Sequence, residues 1–333
     1  MLVNGSVPMK MKAIVHTKYG PPQEVLELEE VEKPKPKDDE VLVKVYAASL
    51  NAIDKVVVEG KSFFIRLTTL GIRKPSHKIL GDDIAGVVEA VGKQITKFQP
   101  GDEVFGFSNW GAFAEYRCVP EKRIIKKPKN ISFEQAAAVP ITAITALQSL
   151  QKFGKIQPGE KVLIIGASGG TGTFAVQIAK TLGTEVSGVC STSKVEKVKA
   201  IGADHVIDYK KEDFTKTGKT YDLIIDFAAY RSIRDFKRIL NPKGRYIGIG
   251  GSTRRFFEAL LIGPIISLIG NKKITAKIPI PKEEDFIQIK ELLESGKVVP
   301  VIDKIFPLNK TAAALQYYLD GKITGKIVIS IKE

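Results

Sequence analysis

At 333 residues, 44% hydrophobic and 26% charged, the chain has the composition of an ordinary globular protein and the length of two domains rather than one. It holds no apolar run of about 18 residues and no signal-peptide core, so no membrane span or secretion is expected. Its two cysteines, Cys118 and Cys190, cannot build a disulfide framework and point to a reducing, cytoplasmic setting. The net charge of +14 would suit a polyanion, but the lysines, as in KPKPK (33–37), are scattered among loops without interleaved aromatics. The expectation is a solvated surface and no specific nucleic-acid site.

The first 130 residues read as strands, with MKAIVH, EVLELEEV, EVLVKVYAASLN and IAGVVEAVG broken by Pro, Gly and Asp. Pro100-Gly101-Asp102 predicts a turn between two apolar stretches, and the spacing suggests a barrel or sandwich. After about Pro140 the texture changes. KVLIIGA, FAVQIAKTL, EVSGVC, KVEKVKAIGA, HVIDY, YDLIIDFAA, RSIRDFKRIL and RYIGIG alternate strand with helix. That order predicts right-handed βαβ units and a doubly wound parallel sheet whose first strand lies near Lys161. In the tail, residues 281–298 predict a helix with acids in its first turn, Gly296 after its end, and Phe286, Ile289, Leu292 and Leu293 on one face. VVPVIDKIF and KIVISI flank a short helix around Thr311–Leu319, and their place after the doubly wound core predicts that they rejoin the first domain.

GASGGTGTFAVQIAK, 166–180, follows the first of those strands. Ala167-x-Gly169-x-x-Gly172 is a variant of the dinucleotide fingerprint, in which glycines make the turn and let backbone approach a pyrophosphate. The amides of Gly169, Gly170, Thr171 and Gly172 then stand at a helix start, where they hold an anion. The same stretch fits the glycine signature of short-chain dehydrogenases. That reading needs Tyr-x-x-x-Lys on a helix, and Tyr318 and Lys322 enclose Asp320 and Gly321, a poor helix interior. It also leaves about 160 preceding residues without a role. After the second strand come Ser191, Thr192, Ser193 and Lys194, with no carboxylate to take ribose hydroxyls, and hydroxyls with a cation suit the 2′-phosphate of NADP(H).

AASLNAID (47–54), GDDIAGVVEAVG (81–92), PGDEVFGF, GAFAEY, AAAVPITAITAL, GADHVIDY and the closing GKITGKIVI resemble the medium-chain dehydrogenase/reductase superfamily, in its zinc-free quinone and enone reductase branch. The resemblance covers residues 11–333 and implies an α/β protein with a GroES-like β-rich domain, a Rossmann nucleotide-binding domain and a cleft between them. It implies boundaries at 1–135, 136–280 and 281–333, the last returning to the catalytic domain. Where zinc-dependent relatives carry Cys, His and Cys, this chain has Asn51, Asp82 and a position near Ile141, and their structural-zinc cysteines are absent. A soft tetrahedral site needs thiolates or imidazoles, so no metal is expected.

Without a Lewis acid, conjugated acceptors are easier than alkanals, and a neutral donor can stabilise the oxygen on which charge develops. Asn51 is the candidate donor, or alternatively a loop-closing side chain, with Asp54 orienting its loop. The resemblance further implies that Lys194 and Tyr209 hold the 2′-phosphate. It places Thr145 and the loop around Gly250 near the nicotinamide, and Lys322 or Lys326 over the adenosine. It suggests a homodimer formed near 252–273, an apolar segment with basic ends for which peripheral membrane contact is the alternative. The expected function is hydride transfer from NADPH to a quinone or α,β-unsaturated carbonyl. The rivals are a non-catalytic NADPH-binding sensor or structural protein, an anionic-polymer binder, and a metal-using alcohol dehydrogenase.

Overall fold

The computed structural model describes residues 9–61, 66, 67 and 71–331. They form two compact units, Met1–Ile141 with Ile302–Glu333, and Thr142–Val301. No helix among the described residues is long and apolar enough to cross a membrane.

The first unit is built on strands. In chain order they are β1 (Lys10–His16), β2 (Leu26–Glu32), β3 (Glu40–Ser49), β4 (Asp83–Val91), β5 (Glu103–Phe107), β6 (Tyr116–Pro120) and β7 (Ile124–Lys126). Of these, β3 and β4 are largely buried and β2 is largely exposed. β1 and β2 pair as an antiparallel hairpin. The second expected strand begins only at Leu26, because Pro22 starts a single helical turn, Pro22–Val25, ahead of it. The closing strands of the chain, Ile302–Pro307 and Lys326–Ser330, return to this unit, the latter lying antiparallel on β3 with Val328 opposite Ser49. A seven-stranded sheet results, around a core that includes Val43, Ile84, Val104, Phe113 and Ile329.

In the second unit the central strands are largely buried apolar runs, as a sheet covered on both faces requires. They are β8 (Lys161–Ile165), β9 (Glu185–Cys190), β10 (His205–Asp208), β11 (Tyr221–Asp226), β12 (Leu240–Gly248) and β13 (Lys273–Ala276). All pairings are parallel, in the order β10-β9-β8-β11-β12-β13. The direction of winding therefore reverses between β8 and β11. In such sheets ligands bind at that switch, beyond the carboxyl ends of the strands.

The tail helix spans Glu283–Glu294, with Phe286, Ile289 and Leu293 buried and Leu292 only half-buried. It lies in the second unit rather than with the returning segment that was expected to begin at 281. A polar clamp holds it there: Gln148 Nε2 donates to Asp285 Oδ2 (2.7 Å) and to the Ile280 carbonyl (2.7 Å). The chain re-enters the first unit at Ile302.

Candidate active site

In the first unit Asn51 precedes the helix Ala52–Glu59 and caps it together with Asp54. Asn51 N–H donates to Asp54 Oδ2 (2.7 Å) and Gly81 N–H donates to Oδ1 (3.2 Å), so both carboxyl oxygens of Asp54 serve backbone amides. Asp54 is fully buried, and burial first, then the charge of Asp82, raises its pKa to about 8. Both of its oxygens are committed to backbone amides, which suits Asp54 to orienting the turn.

The Asn51 side chain is held from both ends. Its Oδ1 accepts from Lys326 Nζ (2.7 Å) and its Nδ2 donates to Asp83 Oδ2 (2.9 Å). Lys326 Nζ also donates to the Leu50 carbonyl (2.7 Å) and lies 3.4 Å from Asp83 Oδ2. Asp83 takes a third donor from Ser49 Oγ (2.9 Å) and a fourth from Ile141 N–H (3.0 Å). All four side chains are at most 5% exposed. Burial pulls the Lys326 pKa down while the Asp83 charge pushes it back, as in a paired ion inside a core. A cation facing Oδ1 and a carboxylate facing Nδ2 leave the amide one orientation. The second N–H of Nδ2 is then the free donor.

Asp82 is buried as well. Its Oδ1 accepts the Trp110 N–H (2.6 Å), its carbonyl accepts Ser108 Oγ (2.9 Å), and burial raises its pKa to about 6. The residues at the zinc-ligand positions of metal-using relatives are thus a pinned amide, a carboxylate engaged by a backbone amide, and Ile141, which contributes only its N–H. This donor set does not fit zinc.

In the second unit, β8 is followed by Gly166, whose φ of +80° is open to glycine at little cost. The helix Gly170–Thr181 follows, with Gly169 at its N-cap. A Cβ on Gly172 would stand 2.1 Å from the Gly166 carbonyl oxygen and 2.7 Å from Ala167 Cα, so only glycine lets this helix pack on β8. The first-turn amides point out of the helix beyond the carboxyl edge of the sheet. Such a cradle fits a pyrophosphate.

The register Asp208 opposite Cys190 sets Tyr209, 52% exposed, beside Ser191, and Tyr209 N–H donates to the Cys190 carbonyl (3.1 Å). Ser191, Thr192, Lys194 and Tyr209 therefore share one corner. The Thr192 hydroxyl hydrogen-bonds Asp208, which lowers the pKa of that carboxyl and braces the corner. Gly250 lies beside Phe227, as Gly166 does, which places it at the same edge of the sheet. Thr145 is half-buried in the helix Pro140–Leu147.

Lys326 is displaced furthest from expectation. Instead of covering an adenosine it is 2% exposed inside the first unit, because the strand Lys326–Ser330 runs along β3 and aims it at Asn51. Lys322 lies in the turn after the helix Thr311–Leu319, exposed and 3.6 Å from Asp320. Sequence reasoning overlooked Ser49, Asp83 and Asp226. Asp226 ends β11 and accepts from Ala228 N–H (2.9 Å), Ala229 N–H (2.7 Å) and the Tyr246 hydroxyl (3.0 Å). The only local signal for Asp83 was a second acid beside Asp82, and for Asp226 an acid closing an apolar strand.

Residues 37–129 match the model of the alcohol dehydrogenase GroES-like domain, and residues 201–329 match that of the zinc-binding dehydrogenase. The chain is 35% identical to the 2-methylene-furan-3-one reductase of Solanum lycopersicum, over 97% of this chain and 80% of the relative. It is 32% identical to the NADPH-dependent alkenal/one oxidoreductase of Arabidopsis thaliana, a chloroplastic protein, over 98% and 81%. Among solved structures, the quinone oxidoreductase of Coxiella burnetii superposes with a TM-score of 0.84 at 30% identity, covering 97% of this chain and 100% of that one.

Proposed function

The chain belongs to the medium-chain dehydrogenase/reductase family, in its quinone and enone oxidoreductase branch, and from that premise we propose that it reduces a quinone or α,β-unsaturated carbonyl with NADPH, without zinc. The clamped amide of Asn51 carries this reading. Bound NADP(H) supplies the hydride chemistry. Gly169, Gly170, Thr171 and Gly172 would hold its pyrophosphate, Ser191, Lys194 and Tyr209 its 2′-phosphate, with Thr145 and Gly250 toward the nicotinamide.

Hydride addition to a conjugated carbon leaves negative charge on a distant carbonyl oxygen. Asn51 Nδ2 presents its free N–H to that oxygen without reorganising, because Lys326 and Asp83 already fix the amide. Asp54 holds the turn that carries Asn51, and water completes protonation. A simple aldehyde lacks the conjugation that makes so weak an electrophile sufficient.

The test is NADPH and NADH oxidation, with chelator present, against matched quinones, enones and simple aldehydes. Chelator-resistant turnover of quinones or enones with NADPH preferred is expected, and Asn51→Ala lowers kcat by about 10²–10³. Tight NADPH binding without turnover of any acceptor would return the protein to a sensor or structural role.

We also propose a homodimer in a reducing compartment. Supporting it, the helices Thr253–Leu261 and Gly263–Ile269 expose Leu261 (65%), Ile265 (56%) and Leu268 (86%) together, an apolar face suited to a second copy. Both cysteines are buried and unpaired, and burial raises their pKa to about 11. Sedimentation of the purified chain as a monomer would remove the dimer.

A further inference from the structure

A groove of ≈ 740 Å³ lies in the first unit along β1 and β2, walled by Trp110, His77, Lys78, Tyr116 and Arg117. None of Asn51, Asp54, Asp83 or Lys326 lines it.

A loop in its lining, Asn109–Gly111, is strained. Asn109 (φ 55°), Trp110 (φ 79°) and Gly111 (φ 86°) are three successive residues in the left-handed region, two of them with side chains. Such residues cost about 1–3 kcal/mol each and persist only where surrounding contacts hold them. Hydrogen bonds hold this loop: Ser108 N–H donates to the Asp82 carbonyl (2.6 Å), Trp110 N–H to Asp82 Oδ1 (2.6 Å) and Gly111 N–H to the Ile79 carbonyl (3.1 Å), while the one proton of Ser108 Oγ is shared between the Asp82 (2.9 Å) and Trp110 (3.0 Å) carbonyls.

The strained geometry presents two features. Trp110 stacks on His77, with ring centroids 4.9 Å apart and planes 16° apart. Gly111 passes over the Arg117 guanidinium so closely that a Cβ there would be 2.9 Å from Nη1. Arg117 is half-buried, and its Nε is buried with no hydrogen-bond acceptor. Among the described residues no carboxylate lies within ion-pair distance of it. Burial lowers the Arg117 pKa and the charges of Glu40 and Asp82 only partly offset it, so its half-exposed guanidinium has room for a further anion. His77 does not compete for that anion, since burial and the neighbouring Arg117 lower its pKa and keep it neutral. Lys78 adds a second positive charge to the lining, which also includes Glu29 and Glu32.

We propose that this groove is a second ligand site, taking a small flat aromatic carboxylate whose ring packs against the His77–Trp110 pair and whose carboxylate pairs with Arg117. A planar guanidinium matches a carboxylate bidentately, and the stacked pair selects for a π face that inorganic anions lack.

Trp110 is the only tryptophan in the chain, so its fluorescence reports on this groove alone. The experiment titrates the full-length protein with benzoate, benzyl alcohol and inorganic phosphate, exciting at the red edge of the tryptophan band. Benzoate is expected to change the emission saturably, and the other two are not. Arg117→Gln weakens benzoate by about 10-fold or more. Arg117→Lys, which keeps the charge, is weakened less and covers the case in which Arg117→Gln does not fold. The proposal is overturned if benzoate does not saturate, if benzyl alcohol or phosphate binds as well as benzoate, or if a folded Arg117→Gln binds benzoate unchanged.

Discussion

Two glycines three residues apart do different work, and single methyl groups separate their roles. In Gly172→Ala the new Cβ meets backbone, the Gly166 carbonyl oxygen at 2.1 Å and Ala167 Cα at 2.7 Å, and neither can swing aside as a side chain would. The helix must lift off β8. Overpacking of this kind costs about 1–3 kcal/mol, which lowers the cofactor-free unfolding midpoint by several degrees. Gly169 has φ −79° and ψ 171°, extended backbone that alanine adopts freely, and its Cβ would touch only the Gly166 oxygen at 3.4 Å. Gly169→Ala should therefore stay within about 0.5 kcal/mol of the unaltered chain without cofactor. Its methyl would stand where backbone approaches a pyrophosphate, and NADPH affinity falls about 10-fold or more. Urea unfolding without nucleotide and a nucleotide-fluorescence titration read the two effects separately. If Gly169→Ala bound NADPH normally, the turn would be packing only. If it unfolded as readily as Gly172→Ala, the separation of roles would be wrong.

Other consequences concern the first unit. His16 is fully buried, and burial lowers its pKa from 6.5 to about 4. The unfolded chain then binds the extra proton between those values, so stability present at neutral pH is lost as pH falls from about 6.5 to 4, by up to about 3 kcal/mol. Asp54 and Asp82, whose pKa values are raised, act in the opposite sense, so the comparison that isolates His16 is the pH dependence of unfolding in the unaltered chain minus that in His16→Gln. A difference that does not change with pH would refute the assignment. Lys326→Met leaves Asp83 buried without its cation and should cost about 3–5 kcal/mol, while Lys326→Met with Asp83→Asn recovers part of it. A urea double-mutant cycle showing simple additivity would mean that the two do not act as a pair. In the same variants kcat should fall with little change in the KM for NADPH, since the amide they orient belongs to the first unit.

Much of this architecture was written locally. The strand, glycine turn and helix at 161–181 are legible because buried-strand hydrophobicity, positive φ and helix periodicity are properties of neighbouring residues. The break after Leu319, where Asp320 caps the helix and Gly321 takes φ 70°, was equally readable and removes Lys322 from the face of Tyr318. Asn51 and Asp54 lie three residues apart, the spacing of a capping box, so their partnership needs no tertiary contact.

What joins distant chain segments was not written that way. Lys326 reads from sequence as one more lysine near the C-terminus of a basic chain, and its contact with Asn51 spans 275 positions. It exists because the strand Lys326–Ser330 pairs antiparallel with β3 in the register Val328 to Ser49, and a slip of one residue would turn the lysine to the other face. Arg117 likewise became notable only once the fold brought Gly111 over it and left its Nε without an acceptor. Sequence alone determined the turns, caps and periodicities, because these are short-range preferences of the backbone. Tertiary structure alone decided which charges were buried together and which went unpaired, because desolvation and pairing depend on neighbours that the chain brings from far away.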